Sequence, residues 1–387
     1  MRAASIFCCL LVSAAAGQGP AVSDLTSFDR GVLGVTFNQN ARLAEKMLRS
    51  AIGSGHGSKQ AYEAYEWLSH LYFYRGQYRS LVSTMERRWA DFPNKPEEQQ
   101  ERRLMAGFRG LPDQTLVKAK PSAVHHESGS IFLPLSIDGK AATYFFDTGA
   151  WLSSMSESEA KRLGLHMRDT SATLGNSSGA NVGFRTAVAR DLVVGETHLK
   201  NVSFAVFPDG QEPWSTLPPG HRGILGVPIL VAFGTLRWNR AGTAEIGNKP
   251  DPFDIRRSNL TFDNDHLVVT ATVEGREIRA TLDTGAETTD LYKPFADAFA
   301  SLLRQKGKKT STEVRGVGHA ETFDSVTMPE LRIQVAGSDT ILSPAHVLLR
   351  SIGAKGCVGN FGMDLLKQAP SFTLDFGAMT LKMNAGN

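Results

Sequence analysis

Cysteine is nearly absent from this chain of 387 residues, which has three, Cys8, Cys9 and Cys357. Cys8 and Cys9 fall in a leader-like segment, so the mature chain keeps one thiol and no intramolecular disulfide is expected. The ten histidines are scattered, without HExxH or CxxC spacing, so nothing in the sequence supports a metal site. Gly53 to Lys59 is Gly-rich and ends in lysine but lacks phosphate-loop spacing. Charge of one sign is also lacking: the formal net charge is +3, too balanced to point to nucleic acid. No apolar run is long enough to span a bilayer. These absences leave an uncharged-on-balance globular protein, and the length implies two or three domains.

The amino terminus reads as a secretory signal over 1–17. Arg2 supplies the positive start, 6–12 the short apolar core, and Ala14-Ala15-Ala16-Gly17 the small residues for cleavage. Export with one remaining cysteine fits a bacterial protein, periplasmic or secreted, better than a eukaryotic secretory enzyme. No stable membrane insertion is expected.

Residues 18–115 differ in kind from the rest. Helical spacing runs over 41–52, 59–74 and 78–90, with breaks at 53–57, Gly76 and Pro93. The run from Trp67-Leu68 through Leu71-Tyr72 to Gly76 and Tyr78 is similar to one tetratricopeptide-type hairpin. The aromatic stripe Tyr62, Tyr65, Trp67, Tyr72, Phe73 and Tyr74 is expected to be core. The module is a candidate for protein contacts: it docks on the downstream part of the chain, recruits substrate, or covers a cleft there as a removable pro-segment.

The most informative feature is a repetition. Asp147-Thr148-Gly149-Ala150 returns as Asp283-Thr284-Gly285-Ala286 at an offset of 136. A specified tripeptide is expected roughly once in several thousand positions. At the same offset Ile137-Asp138-Gly139-Lys140 aligns with Val273-Glu274-Gly275-Arg276, each the tight turn of a β-hairpin. Strand-like segments precede (131–136, 267–272) and follow (141–146, 277–282), and the second strand delivers the acidic triplet at its end. Downstream, Gly223-Ile224-Leu225-Gly226 aligns with Gly359-Asn360-Phe361-Gly362. Ser156 and Glu159 have capping-box spacing before Gly164, and in the second copy Pro294 and Gly307 suit a helix start and stop. The expected fold is therefore mainly β: two homologous lobes, 116–250 and 251–387, in a bilobal pseudo-twofold unit behind the helical module.

FFDTGA and TLDTGA, each paired with a later ILG (224–226) or NFG (360–362) element, resemble the pepsin and retropepsin clan of aspartic proteases over roughly 120–387. Ala after Asp-Thr-Gly and the run Gly362-Met363-Asp364-Leu365-Leu366 are similar to the bacterial retropepsin-like branch. The resemblance implies acid-protease-like lobes, a peptide or protein substrate, and threonines Thr148 and Thr284 that hydrogen-bond across the interface. One departure is Asn360, where the family pattern has an apolar residue, which implies less regular packing in the second lobe.

The chemistry has its own reasons. Hydrolysis of a peptide needs a water, a base to take its proton and an acid for the departing nitrogen. Two close carboxylates sharing one proton supply all of these, because like charges at short range cannot both ionise easily. Asp147 and Asp283 are assigned to that pair, acting without metal or organic cofactor. Gly149 and Gly285 let the backbone turn beside the carboxylates where a side chain would clash. Ala150 and Ala286 lack the hydroxyl that pepsin-like enzymes place there, so a mildly acid to neutral optimum is expected; an optimum below about pH 3 contradicts this, given an unperturbed Asp near 3.9. Flap hairpins are expected at 175–183 and 316–318.

Three rival readings stand beside this one. Gly175-Asn176-Ser177-Ser178-Gly179 formally matches the serine-hydrolase elbow, which needs a helix after it, whereas 181–194 read as turn and strand. Duplicated lobes can also lose catalysis and persist as a peptide-binding or adaptor protein, although both triplets are intact. Finally, each lobe can pair with a lobe of another chain, giving an obligate dimer.

Overall fold

The computed structural model describes residues 25–384 apart from 176–180, 317–318, 351 and 353. The leader segment 1–17, with Cys8 and Cys9, lies outside the described residues.

Five helices open the described chain: α1 Ser27–Thr36, α2 Ala41–Ser54, α3 Lys59–Tyr74, α4 Tyr78–Asp91 and α5 Glu98–Phe108. Three of them coincide with the helical spacing seen in the sequence; α1 and α5 are additions. Side-chain caps start the first three, from Thr26, Asn40 and Ser58, satisfying amides that a helix start leaves unpaired. Five of the six residues of the aromatic stripe are buried, and Tyr62 is half-buried.

The helical module packs on both lobes. Phe73 meets Trp151 edge-to-face at 4.9 Å, and Tyr74 stacks on Phe262 of the second lobe at 4.1 Å. Gln114 Nε2 donates to the Pro228 carbonyl at 2.9 Å, while Gln39 Nε2 donates to the Gly377 carbonyl at 2.6 Å. Arg168 Nη2 donates to the Gly107 carbonyl at 2.9 Å. Of the roles left open by the sequence, docking on the lobes is the one the contacts display.

Each lobe is built on a β-sheet, of eight strands in the first and ten in the second. The two halves share strand pairings at the offset of 136. Hairpin Phe132–Ile137 with Lys140–Phe146 answers to His266–Val273 with Arg276–Leu282. Both turns put two residues at positive φ, Asp138 and Gly139 in one and Glu274 and Gly275 in the other, the geometry of a twist-matched two-residue turn. Phe145 pairs in parallel with Ile224, and Thr281, 136 positions later, pairs in parallel with Asn360.

A five-stranded sheet joins the lobes, in the order Ser122–His125, Thr243–Ile246, Thr235–Asn239, Ser371–Asp375 and Thr380–Asn384. Trp238 lies opposite Phe372 across the central pair, and their rings stack at 5.3 Å. Neither lobe therefore closes its core alone. Segment Thr173–Gly175 pairs antiparallel with Asn181–Gly183, and Lys308–Gly316 with His319–Met328. Hairpin strands thus flank both positions where flaps are expected; the connecting residues 176–180 and 317–318 lie outside the described residues. Of the serine-hydrolase match, 176–179 lie outside the described residues, and the next described segment, Asn181–Gly183, is strand where the elbow needs a helix.

Candidate active site

Each acidic triplet sits at the end of a buried strand and is held by the Gly-containing element downstream. Asp147 N donates to the Leu225 carbonyl at 3.0 Å, and Asp283 N to the Phe361 carbonyl at 2.9 Å. Val227 N and Met363 N donate to the carbonyls of Ala150 and Ala286 at 2.9 and 2.8 Å. The two loops thus adopt one shape by one set of bonds.

The threonines lock the loops to each other. Thr148 N donates to Thr284 Oγ1 and Thr284 N to Thr148 Oγ1, both at 3.0 Å. Thr148 Oγ1 donates to the Leu282 carbonyl at 2.6 Å, and Thr284 Oγ1 to the Phe146 carbonyl at 3.0 Å. Both side chains are buried. Every hydroxyl is therefore used as donor and acceptor at once, and the bonds cross between lobes that are 136 residues apart in sequence.

This grip brings the carboxyl groups face to face. Asp147 and Asp283 are in hydrogen-bond contact. A Cβ on Gly149 would fall 2.7 Å from Asp283 Cγ, and one on Gly285 would strike the Asp147 carboxyl equally hard. Glycine is required because each carboxyl lies over the opposite loop, a closer reason than the turn alone. Gly149 N donates to Asp147 Oδ1 at 2.7 Å; Gly285 N and Ala286 N donate to Asp283 Oδ1 at 3.0 and 3.1 Å. Burial first, and the charge of Asp283 second, push the Asp147 carboxyl well above the usual carboxylate range, as expected for a like-charge pair in poor solvent. Both aspartates remain half-buried, and Gly149 and Gly285 are exposed, so the pair opens to solvent on one side.

Asn360 is a site residue the sequence did not assign. Its amide Nδ2 donates to Asp283 Oδ2 at 2.9 Å, and its Oδ1 accepts from Thr281 Oγ1. The departure from an apolar residue is thus a donor to the carboxylate, not a packing irregularity. It partly replaces, in the second lobe only, the hydroxyl that Ala286 lacks; the first lobe has Ile224 at the equivalent position. Among the described residues no group of three or more His, Cys, Asp or Glu is placed to hold a metal ion, and no helix is long and apolar enough to cross a membrane.

Residues 133–229 match the aspartyl protease family model. The matched stretch contains Asp147, Thr148 and Gly149 and stops before the second triplet, so the aspartyl protease match supports a hydrolase of the protease class at the level of the first lobe. Among solved structures, a retropepsin-like aspartic protease from Rickettsia conorii is similar at 17% identity and a TM-score of 0.25, covering 35% of this chain and 96% of that one; likeness at that score adds nothing to the reading of the site. No curated protein matches the chain.

Proposed function

We propose that this chain is an aspartic endopeptidase whose two catalytic carboxylates, Asp147 and Asp283, come from one polypeptide. The observation that carries the reading is the pair itself, two carboxyl groups in contact over facing glycines with Asp147 pushed up in pKa. Asp147 holds the shared proton at rest, and Asp283, which accepts three N–H donors, takes a proton from the attacking water. The water oxygen bonds to the peptide carbon while the Asp147 proton passes to the carbonyl oxygen. On collapse, the proton on Asp283 goes to the departing nitrogen, the C–N bond breaks, and a diol proton returns to Asp147. Thr148, Gly149, Thr284 and Gly285 position the pair and touch no bond that breaks. Export to a bacterial periplasm or beyond, acting on peptide or protein substrates, completes the proposal.

The test is digestion of denatured casein across pH 3 to 8, with and without pepstatin. Pepstatin-sensitive cleavage is expected, lost in both Asp147→Asn and Asp283→Asn. Cleavage by either variant at the wild-type rate removes that residue from the chemistry, and binding of casein peptides without cleavage would establish an inactive peptide-binding protein of the same fold.

A further inference from the structure

The second lobe carries a polar row leading away from Asp283. By strand register, Thr281 lies beside Asn360, Asn360 opposite Asp290, Asp290 beside His346, and His346 opposite Thr327. Side chains at paired positions of neighbouring strands share a face. That face is the one that opens beside the catalytic pair, because the Asn360 amide reaches Asp283 Oδ2 at 2.9 Å. Burial alternates accordingly: Asn360, Asp290 and His346 are half-buried, while their strand neighbours Phe361, Leu291 and Val347 are buried. In the first lobe the same row reads Phe145, Ile224, Ser154 and Ala205, with no ionisable group. The two walls beside the pair therefore differ in charge.

Asp290 stands out within the row. Its carboxylate has no hydrogen-bond or ion-pair partner among the described residues; only the fields of His346, which draws its pKa down, and Asp364, which pushes it up, act on it besides burial. Burial is the largest influence and the carboxyl is pushed up to about 6. His346 is engaged elsewhere, its Nδ1 lying 3.2 Å from Thr327 Oγ1. A half-buried carboxylate without a donor is a costly arrangement unless a ligand supplies one.

We propose that Asp290 is the specificity-determining residue of this cleft, receiving the ammonium or guanidinium group of a substrate Lys or Arg side chain. The inference rests on the endopeptidase reading above. A cationic group brings both the missing donors and the opposite charge. An acidic side chain would meet the fields of Asp290 and the catalytic pair, and an apolar one would cover Asp290 while leaving it unpaired. The Asp290 strand is two strands from that of Asp283, about 10 Å at the usual strand spacing, and an extended peptide advances about 3.3 Å per residue. The selected side chain therefore falls within about three residues of the scissile bond.

The experiment is cleavage of a synthetic randomised peptide library by the full chain, with cut sites read by mass spectrometry. Lys and Arg are expected to be enriched over Gln and Leu by at least about tenfold at one position, the discrimination a hydrogen-bonded charge pair provides. In Asp290→Asn, and in Asp290→Ser, which installs the first-lobe residue, the enrichment collapses to less than about twofold, while melting curves check that both variants are folded. Wild-type cleavage without basic enrichment, or folded variants that keep it, overturns this inference and leaves the endopeptidase reading intact. Absence of any cleavage, of library and casein alike, overturns both.

Discussion

Replacing Asn360 by isoleucine, the residue type at the equivalent first-lobe position 224, isolates one hydrogen bond at the Asp147–Asp283 pair. The Asn360 amide donates to Asp283 Oδ2 at 2.9 Å, and a donor to a carboxylate favours its charged form. A hydrogen bond to a charged group contributes about 1.5–3 kcal/mol, and 1.36 kcal/mol corresponds to one pKa unit, so full loss would move the acidic limb of the pair upward by about 1–2 units. Asn360 and Asp283 are both half-buried, and water recovers part of the loss, which brings the expected shift to about 1 unit. Isoleucine suits a strand and adds no charge. The assay is the pH dependence of kcat/KM on one peptide, which reports the free enzyme's macroscopic ionisations. An acidic limb raised by about 1 unit with an unchanged alkaline limb supports the reasoning. Superimposable profiles for wild type and a folded Asn360→Ile variant would refute it, because the amide would then have no influence on the pair.

Other contacts make further outcomes testable. Gly149→Ala places a methyl 2.7 Å from Asp283 Cγ and should lower kcat by about a hundredfold, since misplacement of a reacting group by about 1 Å is that costly; single-turnover kinetics would read it. Thr284→Val strands the Phe146 carbonyl and the Thr148 amide, at about 1–3 kcal/mol each, and calorimetry should register a fall in Tm. Asp147 carries a raised pKa, so its contribution to stability is complete below the unfolded value near 3.9 and is lost as pH rises through the folded value; Asp147→Asn should flatten that decline of Tm with pH, and an unaltered slope would count against the raised pKa. Cys357 is buried and its thiol is pushed up to about 12, chiefly by burial, so it should resist a thiol reagent in the native protein and react on unfolding.

The meeting of Asp147 and Asp283 was legible because the triplet is written twice: identical triplets at one offset, after matched hairpin turns, leave few alternatives. The threonine lock was legible only through resemblance, since nothing local says that Thr148 and Thr284 face each other. Asn360 was visible as an anomaly but not as a donor. Its meaning depends on a parallel pairing between strands whose contacting residues are 77 positions apart, and periodicity carries no information on such pairings. Helix α1 carries a local sequence signal, Thr26 and Asp29 in capping-box spacing, realised in the structure. Gly31 and Gly34 lower the helix propensity of this segment. The structure gives the reason for Gly31: a Cβ there would lie 2.6 Å from Leu48 Cγ of α2, so close helix packing overrides propensity. In α5 the run from Glu98 to Arg103 is polar on every face, which hid the helix that buries only Met105, Gly107 and Phe108.

The most direct test of a site completed within one chain is the stoichiometry of pepstatin binding, measured by calorimetry together with mass by light scattering. One inhibitor per monomer, with binding abolished in Asp147→Asn and in Asp283→Asn, is the expected result. One inhibitor per two chains, with folded monomers unable to bind, would contradict the account.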